Sequence, residues 1–368
     1  MTFSRFVGMG VEYLPRGGRW GAIRFVERQR NYSRRTALWA GVSAAAAAGG
    51  LAGGQWYADH RSDRDGTSEP VDTSQILAPT PLHQTTVPQS FAFDDSQGDI
   101  YAVQLVQGGV RLPGEPRRLT STERDRRGDL CVTRLSAGGR TRGHMFLRGF
   151  GHGVSLGVEP SAAGALLWTE SQAHPETGYG QAITRFAFRD GAVLDSGHPG
   201  LRHHRPVPGS VANQPSVDMA ARRVMVSYWT VPAYGERQQW YAVYDMDSFL
   251  AGRYEPLHAA RQRGRGADET FQGCVLHGDR VYQLAGNAYT SVSGTNPADS
   301  GGNTRVTAVD LRGGAAPAPR RITSGAGLAY REPEGLAVTL AGRPRLCVGF
   351  ATGGSRARML AVHSCGRV

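Results

Sequence analysis

Lysine is absent from the 368-residue sequence, and all 42 residues counted as lysine or arginine are arginine. We attribute this bias mainly to a GC-rich genome, so the number of arginines does not by itself indicate a need for guanidinium groups. The sequence also lacks an arginine-rich helix, a zinc-finger spacing and an aromatic RNA-binding signature. These absences argue against nucleic acid as a partner.

Metal and redox motifs are lacking as well. The four cysteines, Cys131, Cys274, Cys347 and Cys365, show no CxxC spacing, and three of them fall within apolar runs, which predicts buried thiols. A disulfide between Cys347 and Cys365 stays open, because they are the only pair in one repeat unit and export would expose them to an oxidising compartment. His203 and His204 lie in a proline-rich loop without further ligands. We therefore expect no metal site and no cofactor.

Glycine, in contrast, is abundant. The 50 glycines often stand between short apolar runs, a pattern typical of many tight turns, and 40% hydrophobic residues are enough for a core. The length suits one large all-β domain or two average ones. Composition therefore favours an all-β fold.

Five segments share one pattern, in which a turn signal precedes an alternating or continuous apolar run. They are residues 98–105, 164–171, 222–229, 278–285 and 343–350. Taking Ile100, Leu166, Val224, Val281 and Leu346 as equivalent, the intervals are 66, 58, 57 and 65 residues. This regular spacing indicates a repeat architecture.

Each of these strands has a predicted strand before it and another after it. The preceding strands cover 89–93, 154–158, 214–218, 271–276 and 334–338; the following ones cover 129–135, 181–188, 239–245, 303–310 and 356–363. Five such units predict a five-bladed β-propeller over residues 89–368, whose ring closure leaves only short protected sheet edges. Two packed sandwiches are disfavoured, because the units are alike and no linker divides them.

The N-terminal part predicts export. Arg34 and Arg35 precede an Ala/Gly-rich run that ends near Gly54, which resembles a twin-arginine signal read by the corresponding export machinery. An uncleaved anchor over residues 1–54 remains the alternative, since no clean cleavage site precedes Gln55. Residues 55–88 are rich in Asp, Ser, Thr and Pro and predict a flexible linker.

Much of the positive charge belongs to this leader. The net charge is +11 overall and +6 over residues 1–36, which leaves +5 for residues 37–368. That remainder suits an anionic partner such as a phosphate-containing polymer, although an ordinary soluble surface is the more common explanation.

Three short motifs carry a family resemblance. In chain order they are residues 149–153 (GFGHG), 271–273 (FQG) and 331–335 (REPEG), and with the five units they resemble the teichoic acid biosynthesis protein C family, which shares its propeller with receptor-binding proteins of staphylococcal phages. The resemblance covers about residues 89–366 and implies a five-bladed propeller associated with wall teichoic acid, a polyol-phosphate polymer. The chain departs from the pattern at Gln89-Ser90 and Gln214-Pro215-Ser216, where the other blades have glycine after the polar residue.

Polar residues are expected to ring the entrance of the central channel. One comes from each blade: Gln89, Glu159, Gln214, Gln272 and Glu334. With His152 and Arg331 this ring would bind the hydroxyls and phosphates of an anionic cell-wall glycopolymer, Arg331 through bidentate hydrogen bonds. The simpler alternative is that any propeller channel is lined with polar groups and water.

An enzyme remains the second hypothesis. Five-bladed propellers include glycoside hydrolases that use two carboxylates, so Glu159 and Glu334 would be the acid and base of a hydrolase or lyase acting on a wall polysaccharide. The preferred hypothesis is an exported binding module of the cell envelope, with no catalytic residue.

Overall fold

The computed structural model describes residues 74–230, 238–266, 268–290, 296–313 and 318–368. The predicted signal segment, with Arg34 and Arg35, and the first part of the predicted linker lie outside these ranges. None of the helices in the described ranges reaches the length and apolar character that a membrane span requires.

The described residues form strands and two short α-helices, α1 (Ser121–Arg127) and α2 (Met246–Leu250). In chain order the strands are β1 (Gln75–Pro81), β2 (Pro88–Asp94), β3 (Asp99–Leu105), β4 (Leu130–Ser136), β5 (Thr141–Arg148), β6 (Gly157–Glu159), β7 (Leu166–Ala173), β8 (Gly180–Ala187), β9 (Val193–Asp195), β10 (His203–His204), β11 (Val211–Asp218), β12 (Arg223–Thr230), β13 (Gln238–Asp245), β14 (His258–Arg261), β15 (Phe271–His277), β16 (Arg280–Ala285), β17 (Arg305–Asp310), β18 (Arg320–Arg321), β19 (Glu332–Thr339), β20 (Arg345–Thr352) and β21 (Met359–Arg367).

These strands build five sheets, each a blade of a five-bladed β-propeller, and the fold prediction is confirmed. From the centre outwards the blades are β2-β3-β4-β5, β6-β7-β8-β10, β11-β12-β13-β14, β15-β16-β17-β18 and β19-β20-β21-β1, all antiparallel; β9 adds to β5 in parallel. Each predicted triplet of strands is present, with ends shifted by a few residues. The alternation of apolar and polar residues was therefore a sound guide to the three inner strands of each blade.

The ring is closed by a strand that the sequence did not indicate. β1 pairs with β21 and becomes the outermost strand of the fifth blade. The predicted linker over 55–88 is therefore wrong for Gln75–Pro81. Only Leu77 and Thr80 of this strand are buried, its register is irregular, and two prolines suit an edge position, so no regular apolar pattern marks it.

Serines on the inner strands join neighbouring blades. Ser90 Oγ donates to the carbonyl oxygen of Gly153 at 2.6 Å, which links the first blade to the second. The Ser155 hydroxyl likewise donates to the carbonyl oxygen of Pro215, and Ser216 Oγ accepts from Leu276 N at 3.0 Å. The inner ends of the first four blades are thus held in sequence by buried hydrogen bonds.

The core lies between adjacent blades, and this placement decides the cysteine question. Cys347 packs with Phe91 and Ile100 between the fifth and first blades, whereas Cys365 packs with Leu284 between the fourth and fifth. The two thiols lie on opposite faces of one sheet, as the alternation of side chains requires. All four cysteines are buried and none forms a disulfide, so the Cys347–Cys365 bridge is not made.

Candidate functional site

The central channel is closed by backbone near the start of the inner strands, on the side that we call the N-terminal face. A Cβ on Gly335, at φ +87°, would lie 2.9 Å from Ser90 Cα. One on Gly273, at φ +133°, would lie 3.2 Å from the carbonyl oxygen of Val154 and 3.3 Å from Gly335 Cα. The glycines of the FQG and REPEG motifs thus permit a close approach of strands, which a side chain would prevent.

Beyond this constriction the channel widens towards the opposite, C-terminal face. It holds a cavity of about 280 Å³ whose lining includes Phe93, Val158, Val217 and Val338. Its lining also includes the carboxylates of Asp95 and Asp218, which would repel a phosphate. The wide end of the channel therefore does not suit the polymer that the resemblance implies.

Four of the predicted ring residues precede the constriction, and all four are buried. Gln89, Gln214, Gln272 and Glu334 expose 6%, 3%, 0% and 3% of their surface. Gln272 Nε2 donates to the carbonyl oxygen of Gly286 at 3.2 Å, and Gln89 Nε2 donates to that of Val87 at 3.3 Å. These side chains lie at the closed centre of the ring and support its backbone.

Gln214 differs from the other three. Its Oε1 and the Nδ2 of neighbouring Asn213 are buried without a hydrogen-bond partner among the described residues. Such a group costs about 1–3 kcal/mol. The centre of the N-terminal face therefore contains one acceptor and one donor group whose hydrogen bonds the described residues do not satisfy.

Glu159, the fifth predicted member, lies elsewhere. It ends β6, at the C-terminal end of an inner strand, and its Oε2 accepts a hydrogen bond from Trp168 Nε1 at 3.0 Å and lies 3.4 Å from Arg185 NH1. Its placement in the entrance ring is wrong. The inner strand of this blade begins only at Gly157, so Glu159 lies at its end and not at its start.

Glu159 and Glu334 are therefore not an acid and base pair. Glu334 is the third residue of β19 and Glu159 the last of β6, and the matching end of β19 lies five positions after Glu334. At about 3.3 Å per residue this is roughly 16 Å along the strand. Glycosidase carboxylates lie about 5–10 Å apart. The structure does not bring the proposed catalytic residues together.

Arg331 is fully buried, contrary to the expectation that it meets solvent at the channel mouth. Its NH2 donates at 2.8 Å to the carbonyl oxygens of Ile322 and Ser324, its Nε donates to Ser324 at 3.2 Å, and its NH1 donates to Thr304 Oγ1 at 3.0 Å. The guanidinium lies 4.4 Å from the centroid of the Phe350 ring. These contacts hold the fourth and fifth blades together.

The charge of Arg331 is not neutralised locally. Within the described ranges it forms no ion pair with a carboxylate, and burial lowers its pKa from the ordinary value. Tyr330 and Arg331 have φ of 71° and 38°, an unfavourable region for residues with side chains. A strained turn thus places an uncompensated cation beneath the N-terminal face.

The GFGHG motif forms a loop held by a buried carboxylate. Glu170, 1% exposed, accepts hydrogen bonds from the backbone N–H groups of His152 at 2.8 Å, Gly153 at 2.5 Å and Gly180 at 2.6 Å. Burial raises the pKa of Glu170, and these backbone hydrogen bonds act in the opposite direction. Glu170 therefore positions the loop and has no room for a substrate.

His152 lies at the edge of this loop. It is 7% exposed, stacks on Tyr179 with ring centroids 4.8 Å apart, and its Nδ1 lies 3.2 Å from Asp125 Oδ1. Asp125 belongs to α1, so the histidine joins the loop to that helix. Of the predicted ligand-binding residues on this face, His152 is the most exposed.

The sequence analysis missed the insert that carries α1, residues 106–129. It contains six arginines and four carboxylates, and a capping box of Thr120 with Glu123 begins the helix. Arg124 is buried and binds Glu115 at 2.5 Å and Asp129 at 2.7 Å. The Thr-x-x-Glu spacing and the run of arginines were the signals that would have identified it.

This internal pairing leaves the surface of the insert basic. Glu115 and Asp129 are occupied by Arg124, and Glu123 pairs with Arg117. Arg118 and Arg126 are exposed and form no ion pair among the described residues. The insert follows β3 and leads into β4, so it lies on the N-terminal face, beside His152.

Comparisons with known proteins agree with the fold. Residues 87–364 match the model of a phage 5-bladed beta propeller receptor binding platform domain. The chain is 25% identical over 306 residues to a putative major teichoic acid biosynthesis protein C of Bacillus subtilis (strain 168), which covers 79% of this chain and 63% of that protein. The tail fiber of Staphylococcus aureus phage P68 superposes with a TM-score of 0.60 at 16% identity, over 81% of this chain and 53% of that chain.

An α-L-arabinofuranosidase from Lactobacillus brevis superposes less well, with a TM-score of 0.42 at 10% identity over 77% of this chain and 92% of that one. The family match, in contrast, covers most of the chain and ends within the last strand of the fifth blade. The five sheets of the structure are the blades that this family requires. The chain therefore belongs to the family of phage five-bladed β-propeller receptor-binding platform domains.

Proposed function

We propose that the propeller binds an anionic wall glycopolymer, a teichoic-acid-like polyol phosphate, on its N-terminal face. The observation that supports this most is the match to a receptor-binding platform domain over residues 87–364. A relative named for teichoic acid biosynthesis and a structural relative that is a phage tail fiber point to the same class of ligand. A surface or extracellular location follows from this function.

The charge of the N-terminal face supports the proposal. Arg118 and Arg126 offer guanidinium groups that are not consumed by carboxylates, and a guanidinium binds a phosphate through two parallel hydrogen bonds. His152, only 7% exposed, stacks on Tyr179 next to α1 and supports the loop against which the polyol would lie. The polymer would lie across the insert and the GFGHG loop, with the closed centre beside it.

The other predicted residues take a supporting role in this proposal. Arg331, Gln272, Gln89 and Glu334 hold the loops and inner strands that shape the face, and Arg331 adds positive potential from beneath the surface. Gln214 offers a buried acceptor at the centre. None of these side chains is exposed enough to contact a polymer chain directly.

Paired variants test the location. Arg118→Gln combined with Arg126→Gln should weaken binding of purified wall teichoic acid about tenfold or more at low salt, because two charge-assisted contacts are lost. The matched control is Arg253→Gln with Arg280→Gln, which removes two exposed arginines near the ends of α2 and β16 on the C-terminal face. Equal loss in both double variants would contradict a specific site on the N-terminal face.

Export through the twin-arginine route is a separate proposal. Replacing Arg34 and Arg35 together with lysine should retain the precursor in the cytoplasm while leaving its folding unchanged. Fractionation of the producing cells measures this. Normal secretion of the double variant would contradict the proposal without touching the binding function.

A further inference from the structure

A second basic site lies outside the channel, between the second blade and α2. It is a cavity of about 310 Å³ lined by Arg185, Gly200, Arg202, His204 and Leu250. Arg185 comes from β8 and His204 from β10, while Leu250 ends α2 of the third blade. This volume is at the lower end of the range of about 300–1,000 Å³ that small-molecule sites occupy.

Arg202 is anchored but not neutralised. Its NH1 donates to the carbonyl oxygen of Leu250 at 2.5 Å, which fixes the guanidinium against the last turn of α2. In the part of the chain that the structure describes, it forms no ion pair with a carboxylate. Its remaining N–H groups are therefore available to an acceptor in the cavity.

Arg185 has a weak competing partner. Its NH1 lies 3.4 Å from Glu159 Oε2, beyond a good hydrogen bond, and its guanidinium lies 5.9 Å from the centroid of the Trp168 ring. Glu159 also accepts from Trp168 Nε1 at 3.0 Å, so its carboxylate is shared. The guanidinium of Arg185 therefore lies against the Trp168 ring and retains donors that Glu159 does not use.

His204 supplies a buried polar group. It is 1% exposed, its Nδ1 lies 2.9 Å from the Tyr254 hydroxyl, and its ring packs against Phe249. Burial first, and then Arg202, His203 and Arg185, lower the pKa of His204 to about 4. The ring is therefore neutral at pH 7, and the cations around it mark a positive potential.

The tautomer of His204 fits an anion. If the Tyr254 hydroxyl donates to Nδ1, the ring proton resides on Nε2, and His204, which lines the cavity, keeps this N–H as a donor. Donors from Arg185, Arg202 and His204 would then surround one acceptor group. A phosphate has enough oxygens to accept from all three, and the cavity leaves space for a short polyol attached to it.

We propose that this cavity is a binding site for a phosphate group, held by Arg185, Arg202 and His204. The site lies apart from the N-terminal face and does not depend on the function proposed for that face. Its ligand comes either as a small soluble phosphate or as one phosphate of a polymer chain that reaches this side of the propeller.

Calorimetry with the purified protein tests the site. Inorganic phosphate and glycerol 1-phosphate should bind the wild type with one site per chain, and Arg202→Gln should weaken that binding about tenfold or more. Arg189→Gln is the matched control, because it removes an exposed arginine of the same blade that does not line the cavity. The phosphate affinity of His204→Gln measures how much the neutral imidazole contributes to binding.

Glu159→Gln gives a test in the opposite direction. It removes the carboxylate that competes for Arg185, so phosphate binding should become tighter than in the wild type. Loss of folding does not explain a gain of affinity. An unchanged or weaker affinity in this variant would contradict the role of Arg185.

A third experiment distinguishes a small soluble phosphate from a phosphate of the polymer chain. Wall teichoic acid is titrated into Arg202→Gln and into Arg118→Gln/Arg126→Gln. A polymer ligand predicts weaker binding in both, and a small soluble ligand predicts loss of free-phosphate binding in the first variant alone. No phosphate binding to the wild type at millimolar concentration, or equal binding by Arg202→Gln and Arg189→Gln, would overturn the proposal.

Discussion

Two fully buried arginines on the N-terminal side of the propeller are held in opposite ways. Arg124, in α1, is bound by the carboxylates of Glu115 and Asp129, so its site is neutralised from within. Arg331, before β19, is bound by two carbonyl oxygens, a threonine hydroxyl and an aromatic ring, and no carboxylate is present among the described contacts. The charge of Arg124 is neutralised by carboxylates, whereas the charge of Arg331 is not.

The Arg124 site is therefore a structural ion cluster, whereas Arg331 is a source of positive electrostatic potential. The Arg124 cluster supports the insert and contributes little field outside it. The charge of Arg331 lies in a low-dielectric environment, where solvent and salt screen it less than an exposed charge. The carbonyl partners of Arg331 satisfy its hydrogen bonds, yet they leave a cation that favours anions on the face above.

The largest effect is expected for Arg124→Met. This change leaves Glu115 and Asp129 buried with only the more distant, half-exposed Arg127 as a cation, at 3.4 Å and 3.6 Å. Breaking a buried ion pair from one side costs about 3–5 kcal/mol. Urea unfolding of the purified protein at pH 7 measures the loss. A loss no larger than that of Arg331→Met would break the distinction between the two sites.

The cost of Arg124→Met should also depend on pH. In the wild type, burial alone would raise the pKa of Glu115, but the hydrogen bonds and charge of Arg124 lower it. Its contribution is therefore present above the unfolded carboxyl pKa of about 4.3 and is lost as the pH falls through the lower folded value. In the variant the pKa of Glu115 rises, so protonation relieves the penalty, and the stability gap should narrow from pH 7 towards pH 4. A constant gap would mean that lost packing, not charge, explains the variant.

Arg331→Met should cost less, about 1–3 kcal/mol, because unpaired carbonyl groups remain but a desolvated charge is removed. No partner carboxylate changes its protonation, so this loss should be the same at pH 5 and pH 8. Arg343→Met, an exposed arginine of the same blade, is the control and should stay within about 0.5 kcal/mol of the wild type. A strong pH dependence for Arg331→Met would indicate a hidden anionic partner.

The smallest effect is expected for Thr304→Val. It removes the hydroxyl that accepts from Arg331 NH1 and nearly preserves the shape, so the loss should be about 1 kcal/mol. In the Arg331→Met background the same change should cost less, because the hydroxyl has no guanidinium left to bind. Thermal unfolding of the four proteins measures this double-mutant cycle, and full additivity would argue against a direct interaction.

Local patterns in the sequence identify the inner part of the fold. The alternating runs of β3, β12 and β16 and the even spacing of the units depend on neighbours in the chain, so they predict five blades. The edge strand β1 has only Leu77 and Thr80 buried and could not be seen in this way. Its pairing with β21 is a contact between the two ends of the propeller.

The candidate site was less accessible to the same reasoning. Arg331 lies in a polar hexapeptide and was expected at the surface, but Thr304 and Phe350 bury it, and neither is adjacent in sequence. Glu159 is the last residue of the short inner strand β6, which begins only at Gly157, so the sequence prediction of its level in the channel is wrong. By contrast, the glycines at 273 and 335 lie in two of the motifs that carry the family resemblance, and the close backbone approach at both positions explains why glycine is present there.

The proposed function depends most directly on the phosphate of the polymer. The decisive measurement compares the affinity of the wild-type propeller for purified wall teichoic acid and for a phosphate-free polysaccharide of matched length, at low and at high salt. The proposal predicts tight binding of the intact polymer that weakens with salt, since exposed charges are screened within about 10 Å at 0.1 M salt, and little binding of the phosphate-free material. Equal affinity for both, or no binding of the intact polymer at low salt, would contradict it.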